Sequence, residues 1–227
     1  MIIYGPEDLK TEFELSPGIA AKLQIYADLL TKWQARINLV GKNTLPELWH
    51  RHFRDSAQLA AYMDHTLDVK YGIDTKDVMD GGGAWLDIGS GAGFPGLVLA
   101  IMRSDGACKP VHLIESDQRK AVFLREVIRA TQAPAMVHNR RIESLDKHDF
   151  EGTAQLITAR ALAPMEEILR LTEKIRCQKT KYLLLKGQDV DRELTQAAKY
   201  MNMKLCTYAS RTDPAGLVLE ITEVARV

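Results

Sequence analysis

Residues 85–96 read Trp-Leu-Asp-Ile-Gly-Ser-Gly-Ala-Gly-Phe-Pro-Gly, and this stretch decides the fold of the chain. A short apolar run reaches Asp87, glycine then stands at every second position (Gly89, Gly91, Gly93), and a helix-compatible segment follows. Glycine has no Cβ, so the chain can turn tightly there and a ligand can lie against the main chain. The following helix offers unpaired N–H groups and the positive end of its dipole. The stretch therefore predicts a strand, a loop that holds a nucleotide-like ligand, and a helix.

The composition is that of a globular protein. The chain has 227 residues, of which 46% are hydrophobic and 26% charged, enough for one α/β domain with a modest addition. No apolar run approaches the roughly 20 residues of a membrane span, and no secretory signal opens the sequence. Cys108, Cys177 and Cys206 lie far apart, which is typical of reduced thiols. We expect a cytoplasmic protein with no membrane segment and no metal site, and a monomer by default.

Charge is balanced but unevenly distributed. The net charge is zero, which argues against indiscriminate binding to nucleic acid. Basic residues nonetheless cluster in 32–54, 119–141 and 174–186, where the only acids are Glu47 and Glu126. Such a protein can present one basic face to a phosphate backbone. The alternative is three solvated faces that never meet, and the sequence leaves both open.

Two amphipathic helices are predicted before the glycine loop. Ser16 and Pro17 are typical of an N-cap and a first helical residue, and apolar residues then repeat at helical spacing to about Trp33. Thr44 and Glu47 fit a capping box that opens the second helix. Both helices belong to a predicted N-terminal helical extension.

From residue 84 onward strands and helices alternate. Strands are expected at 84–88, 111–115, 135–138, 155–159, 181–186, 203–209 and 217–223, and helices at 95–103, 117–131, 164–175 and 189–200. Alternation indicates βαβ units, and the turn at 213–216 predicts an antiparallel hairpin of the last two strands. We predict a Rossmann-like α/β fold with a seven-stranded, mostly parallel sheet. Its domains are an extension over 1–63, a polar linker over 64–83, and a ligand-binding domain over 84–227.

The glycine loop is compatible with two kinds of cofactor. Gly91, Gly93 and Gly96 fit the Gly-x-Gly-x-x-Gly pattern of nicotinamide-dependent oxidoreductases, a weak signal alone. Asp87 before the glycines and the terminal hairpin instead resemble the S-adenosylmethionine (SAM) methyltransferases. Glu115, at the end of the second strand, could accept ribose hydroxyls of either cofactor. Ordinary polar residues at strand ends are the alternative.

Several further motifs narrow the resemblance. They occur in one order: Lys32-Trp33, Asn38-Leu39, Arg51-His52, Asp55-Ser56, Gly89 to Gly96, Arg119-Lys120, Phe123-Leu124-Arg125, Thr158-Ala-Arg-Ala161 and Leu185-Lys-Gly-Gln188. Together they resemble the glucose-inhibited division protein B family over roughly residues 20–223. The resemblance implies a SAM-dependent methyltransferase fold and methyl transfer to N7 of a guanine in 16S ribosomal RNA, or in the small ribosomal subunit. The linker looks longer than is usual in that family.

The resemblance also implies site residues. SAM contacts are implied for Gly89, Phe94, Ile142 and Glu143, with Arg160 facing the cofactor or the guanine. The fold-class argument adds four more cofactor-binding candidates, namely Asp87, Gly91, Gly93 and Glu115. A surface acid is the alternative interpretation of Glu143.

The chemistry of guanine N7 requires no general base, because N7 carries an in-plane lone pair and no proton. The site must instead align the reactants. Arg160 is therefore expected to position a ligand by a hydrogen bond to O6 of the guanine or to the carboxylate in the methionine part of SAM. Arg51, His52, Arg54 and Lys186 are candidates for RNA phosphates; alternatively, each is a salt-bridged residue, as Arg51 and Asp55 would be at i, i+4. A non-catalytic RNA-binding protein remains a third hypothesis.

Overall fold

The computed structural model describes residues 4–63, 83–106, 108–150, 152–187 and 190–226. Short helices dominate its N-terminal part: α1 (Pro6–Glu12), α2 (Pro17–Gln34), a 3₁₀ turn (Leu45–Glu47), α3, and α4 (Ala60–Met63). Helix α3 consists of a π-helical turn (Trp49–Arg54) continued by one α-helical turn (Asp55–Ala57). No helix within the described ranges has both the length and the apolar character needed to cross a bilayer.

The two predicted N-caps have different outcomes. Ser16 caps α2 as expected, with its Oγ accepting from the Ile19 N–H at 3.1 Å. The capping box at Thr44 is wrong, because the Thr44 side chain makes no cap hydrogen bond. Its hydroxyl instead contacts the carbonyl oxygen of Gly41 at 2.9 Å and His52 Nε2 at 2.8 Å. The second predicted helix is also divided, into α3 and α4.

The sheet has the predicted architecture. Its strands are β1 (Ala84–Ile88), β2 (Val111–Ile114), β3 (Ala135–His138), β4 (Ala154–Arg160), β5 (Arg176–Lys186), β6 (Met201–Ala209) and β7 (Leu217–Arg226). Its helices are α5 (Gly96–Met102), α6 (Gln118–Thr131), α7 (Met165–Leu171) and α8 (Val190–Ala197). The seven strands lie in the order β3-β2-β1-β4-β5-β7-β6, and β7 runs antiparallel to both β5 and β6. The fold class is confirmed.

One boundary differs from the prediction for a clear reason. Helix α7 ends at Leu171 rather than at residue 175, and β5 begins at Arg176 rather than at 181. The hydroxyl of Thr172 is fully buried and contacts both the Ile168 carbonyl and the Tyr182 hydroxyl, at 2.8 and 2.7 Å. This contact ties the end of α7 to β5.

Tyr26 joins the N-terminal helices to the sheet. Its side chain on α2 is fully buried, and its hydroxyl donates to the Ala92 carbonyl of the glycine loop. The ring stacks on Phe94 with centroids 5.5 Å apart and meets Phe53 of α3 edge-on at 5.1 Å. The helices therefore share one core with the glycine loop. The division into domains stays a prediction, and most of its linker (64–82) lies outside the described residues.

Helix packing brings two of the three basic segments together. Helix α2 packs along α6, and the Trp33 indole N–H donates to Glu126 at 3.1 Å. Segments 32–54 and 119–141 are therefore neighbours. The third segment is partly neutralised, since Lys181 and Lys186 pair with Glu220 and Glu193 at 2.9 and 2.7 Å.

Replacing Tyr26 by phenylalanine should lower the free energy of unfolding by about 1–2 kcal/mol, because the buried Ala92 carbonyl loses its donor while the ring packing persists. Urea denaturation measures the change. The matched control is Tyr200→Phe, at a tyrosine that is 56% exposed, which should leave stability unaltered. Equal stability of the two variants would contradict the assigned role of the Tyr26 hydroxyl.

Candidate active site

The site lies where the strand order reverses. Strand β1 pairs with β2 on one side and β4 on the other, and ligands of open α/β sheets bind at the carboxyl ends of such strands. The glycine loop leaves β1 at this point. Gly89 lies beneath Leu162 of the segment after β4, so the loop and that segment are in contact.

Gly91 occupies the open part of the loop. Its φ is +58°, and a Cβ there would meet no atom closer than 3.8 Å. Its main chain is therefore accessible to a ligand. Gly93 faces the protein instead, since a Cβ at this position would lie 2.5 Å from the Tyr26 hydroxyl.

Glu115 links the loop to the next strand. The residue follows β2 and is buried, and its Oε2 accepts from the Gly91 N–H at 2.8 Å. Its Oε1 accepts from the Asp117 N–H at 2.7 Å, while the Asn139 side chain donates to its main-chain carbonyl at 2.8 Å. Each carboxylate oxygen keeps a further lone pair. Glu115 can therefore still accept hydroxyls, as predicted for a ribose.

The segment after β3 forms a 3₁₀ turn over Ile142–Ser144. Ile142 packs partly buried against the core, whereas Glu143 is exposed. The guanidinium of Arg140 holds the turn by donating to the Ser144 carbonyl and to Asp149. The turn thus follows β3, the strand that pairs with β2. The SAM contacts implied for Ile142 and Glu143 stay a prediction.

Asp87 lies beneath the loop rather than on its surface. The side chain is fully buried, and its Oδ1 accepts from the Thr158 hydroxyl at 2.7 Å. Its Oδ2 has no hydrogen-bond partner among the described residues and lies beside Gly96, where an added Cβ would overlap the Asp87 side chain. Burial raises the pKa of Asp87 to about 6. The carboxyl supports the loop from within.

Arg160 is held by three acceptors, all on α3. At the end of β4, its guanidinium donates to Asp55 Oδ2 at 3.2 Å, to the Arg51 carbonyl at 3.1 Å and to His52 Nδ1 at 2.8 Å. Its Cζ also lies 4.9 Å from the centre of the Phe94 ring. Arg160 therefore joins the carboxyl end of β4 to the glycine loop and to the N-terminal helices.

His52 is neutral in this environment. Burial, together with the charges of Arg160 and Arg51, lowers the pKa of His52 to about 3. The side chain lies between Arg160 and Thr44, and its ring centre is 5.1 Å from that of Phe94. As a buried neutral ring, it differs from the exposed cation that a phosphate contact would favour.

The other RNA candidates are also paired within the protein. Arg54 contacts Glu12 at 2.8 Å and lies over the Tyr4 ring. The Lys186 side chain is only 7% exposed and bonds to the Ala163 carbonyl as well as to Glu193. Their phosphate contacts stay a prediction.

The alternative pairing of Arg51 with Asp55 is wrong. Asp55 pairs with Arg160, whereas Arg51 lies 3.8 Å from Asp213. The π-helical turn explains the difference, because its wider spiral moves positions i and i+4 out of the alignment they have in an α-helix.

A cleft of about 400 Å³ adjoins Arg160. It lies at the carboxyl ends of β4 and β5 and reaches the turn between β6 and β7. Its walls carry charges of both signs, namely Arg51, Asp55, Arg160, Lys186, Glu193 and Asp213. Asp55 and Asp213 are site residues that the sequence does not predict, although Asp55-Ser56 is one of the family motifs. Within the described residues, no group of three His, Cys, Asp or Glu side chains is placed to hold a metal ion.

The strand order, in which β7 lies antiparallel between β5 and β6, is that of a Rossmann-like methyltransferase fold, and the glycine loop after β1 and the acid after β2 are consistent with it. The family described as "GidB: rRNA small subunit methyltransferase G" matches residues 19–212, and the chain belongs to this family. Membership confirms the predicted resemblance and the methyltransferase activity on small-subunit ribosomal RNA. It also decides between the two cofactors in favour of SAM.

Known relatives agree with this assignment. The chain is 45% identical to a "Ribosomal RNA small subunit methyltransferase G" of Paramagnetospirillum magneticum, covering 98% of this chain and 97% of that one. It is 40% identical to the protein of the same name from Rhodospirillum rubrum, covering 97% and 98%. Among solved structures, the bifunctional kinase-methyltransferase WbdD shares the fold, with a TM-score of 0.53 and 17% identity over 86% of this chain and 46% of that one.

The residues of the site fit SAM. The main chain at Gly91 is open, and Glu115 keeps lone pairs for ribose hydroxyls. A ligand that carries hydroxyl donors matches these groups.

Replacing Asp87 by asparagine should change how stability depends on pH. The native pKa of about 6 exceeds the ordinary 3.8, so the folded protein binds more protons and loses stability as the pH rises between these values. The loss amounts to about 3 kcal/mol and should be absent in Asp87→Asn. Urea denaturation between pH 4 and 7 measures it; parallel profiles for the two proteins would refute the pKa assignment.

Proposed function

We propose that this protein transfers the methyl group of SAM to N7 of a guanine in small-subunit ribosomal RNA, acting as a monomer in the cytoplasm. The observation that carries the proposal is the position of Arg160. Its guanidinium lies over Phe94 of the glycine loop and also lines the neighbouring cleft. One residue thus connects the cofactor loop with a cavity that suits the acceptor base.

The cofactor is proposed to lie along the carboxyl ends of β1 to β4. The residues proposed to hold it are Asp87, Gly89, Gly91, Gly93, Phe94, Glu115, Ile142, Glu143 and Arg160. SAM supplies an electrophilic methyl group on a sulfonium. The residues of this chain orient the ligands, and the buried Phe94 wall excludes water beside Arg160.

The titratable groups near Arg160 support a reaction without a general base. His52 is neutral but engaged at both ring nitrogens, and Asp55 accepts from Arg160 and from Thr212. Both side chains are therefore engaged within the protein. Guanine N7 has no proton to lose, so a site that only aligns the reactants is sufficient.

Arg160 has a defined role in this proposal. As a donor on the cleft wall, it would hold guanine O6 or the methionine carboxylate. A guanidinium directly at N7 would oppose the positive charge that develops there. Arg51, half-exposed at the cleft, and the adjoining basic segments 32–54 and 119–141 would contact RNA phosphates.

Incubation of the protein with SAM and unmethylated small subunits should yield 7-methylguanosine in the 16S rRNA, because N7 accepts a methyl group without a base. Mass spectrometry of nucleosides and of mapped RNA fragments identifies the product. Naked 16S rRNA, run in parallel, distinguishes the two candidate substrates. A methyl group on another atom, or no transfer to either substrate, would overturn the proposal.

Replacing Gly91 by aspartate should weaken SAM binding by on the order of 100-fold or more, a loss of about 3 kcal/mol. The new side chain would fill the open face of the loop, strain a residue with φ of +58°, and place a carboxylate near Glu115. Calorimetry measures affinity, and circular dichroism verifies folding. Gly106→Asp, at an open glycine without a positive φ, is the matched control and should bind SAM normally. Unchanged affinity of folded Gly91→Asp would contradict the placement of the cofactor.

A further inference from the structure

We propose that His52 and Thr44 are positioning residues that fix the plane of the Arg160 guanidinium. This inference rests on the proposed function of Arg160 and adds the N-terminal segment to the active site. It starts from a chain of three hydrogen bonds that runs from Arg160 through His52 and Thr44 to the Gly41 carbonyl.

The hydrogen bonds from Arg160 to Gly41 all run in one direction from donor to acceptor. A guanidinium only donates, so His52 Nδ1 accepts, and a neutral ring must then carry its proton on Nε2. Nε2 donates to the Thr44 hydroxyl at 2.8 Å, and that hydroxyl donates to the Gly41 carbonyl at 2.9 Å. The direction of each hydrogen bond is therefore fixed, and this locks the tautomer of His52.

His52 restrains the guanidinium in a way that Asp55 does not. Asp55 and the Arg51 carbonyl both accept from Nη1, whereas His52 alone accepts from Nη2. With acceptors only at Nη1, the guanidinium could still pivot about that nitrogen. The bond from Nη2 to His52 prevents this rotation and fixes the plane of the guanidinium. Phe94 supports its face.

This arrangement leaves donors for a ligand. A guanidinium has five N–H groups, and α3 takes three of them, so two remain without a partner among the described residues. These two N–H groups belong to Nε and Nη2. Their direction depends on the plane that His52 fixes, so His52 affects the reaction without touching the substrate.

Two isosteric variants separate this role from simple packing. In His52→Asn, the amide can place its oxygen near the position of Nδ1 and still accept from Arg160, but it cannot reach Thr44. His52→Gln places its amide near the position of Nε2, so it keeps a polar contact to Thr44 and removes the acceptor from Arg160. Thr44→Val removes the next group in the chain.

Methyl transfer to small subunits should fall by about 10- to 100-fold in kcat for His52→Gln, the effect of one lost hydrogen bond to a charged group. His52→Asn should stay within about fivefold of the wild type, and Thr44→Val should fall between the two. Urea denaturation and circular dichroism verify that each variant folds. Equal losses for the two His52 variants, or a more active His52→Gln, would refute the positioning role.

A second readout does not depend on activity. Long-range ¹H–¹⁵N spectra should show His52 as a neutral ring with Nδ1 unprotonated and Nε2 protonated from pH 6 to 8. An Nδ1–H tautomer or a protonated ring would refute the proposal. Inactivity of the wild type on all RNA substrates, with the predicted tautomer present, would instead refute the proposed function and leave the hydrogen-bond chain intact.

Discussion

The ion pair between Arg160 and Asp55 is the interaction on which the site depends. Its side chains are only 18% and 16% exposed, so each charge requires the other. Asp55 belongs to α3 and Arg160 to β4, and the pair therefore attaches the N-terminal helices to the carboxyl edge of the sheet. The helices that precede the glycine loop in sequence thus complete the site that the loop begins.

Buried hydrogen bonds on the protein side of the glycine loop support the rest of the site. Asp87 bonds to Thr158 of β4, and the Tyr26 hydroxyl holds the loop at Ala92. Methyl transfer to a lone pair demands alignment of two ligands rather than proton movement, so a rigid frame matters more than a titrating group. The raised pKa of Asp87 and the lowered pKa of His52 arise from this tight packing around the loop.

The sequence predicts the strands and their order along the chain better than it predicts the contacts between side chains. Strands 84–88 and 135–138 match the observed bounds, because short apolar runs between turn signals have few alternatives. The π-helical turn in α3 carries no comparable signal in the sequence. The acidic partners of Arg54 and Lys186, which are Glu12 and Glu193, lie 42 and 7 positions away in sequence, and no local pattern identifies them. The family motifs, by contrast, do indicate that Arg51-His52 and Arg160 belong to the site, and the structure shows them in contact.

The neighbouring basic segments 32–54 and 119–141 have a consequence for the first encounter with RNA. A molecule of zero net charge feels no net pull toward a polyanion, but one with segregated charge has a dipole moment and experiences a torque. Near ribosomal RNA, such a molecule is turned toward its preferred orientation before contact. The gain lies in the fraction of collisions that are correctly oriented, and dissolved salt diminishes it within a Debye length of about 8 Å at physiological ionic strength.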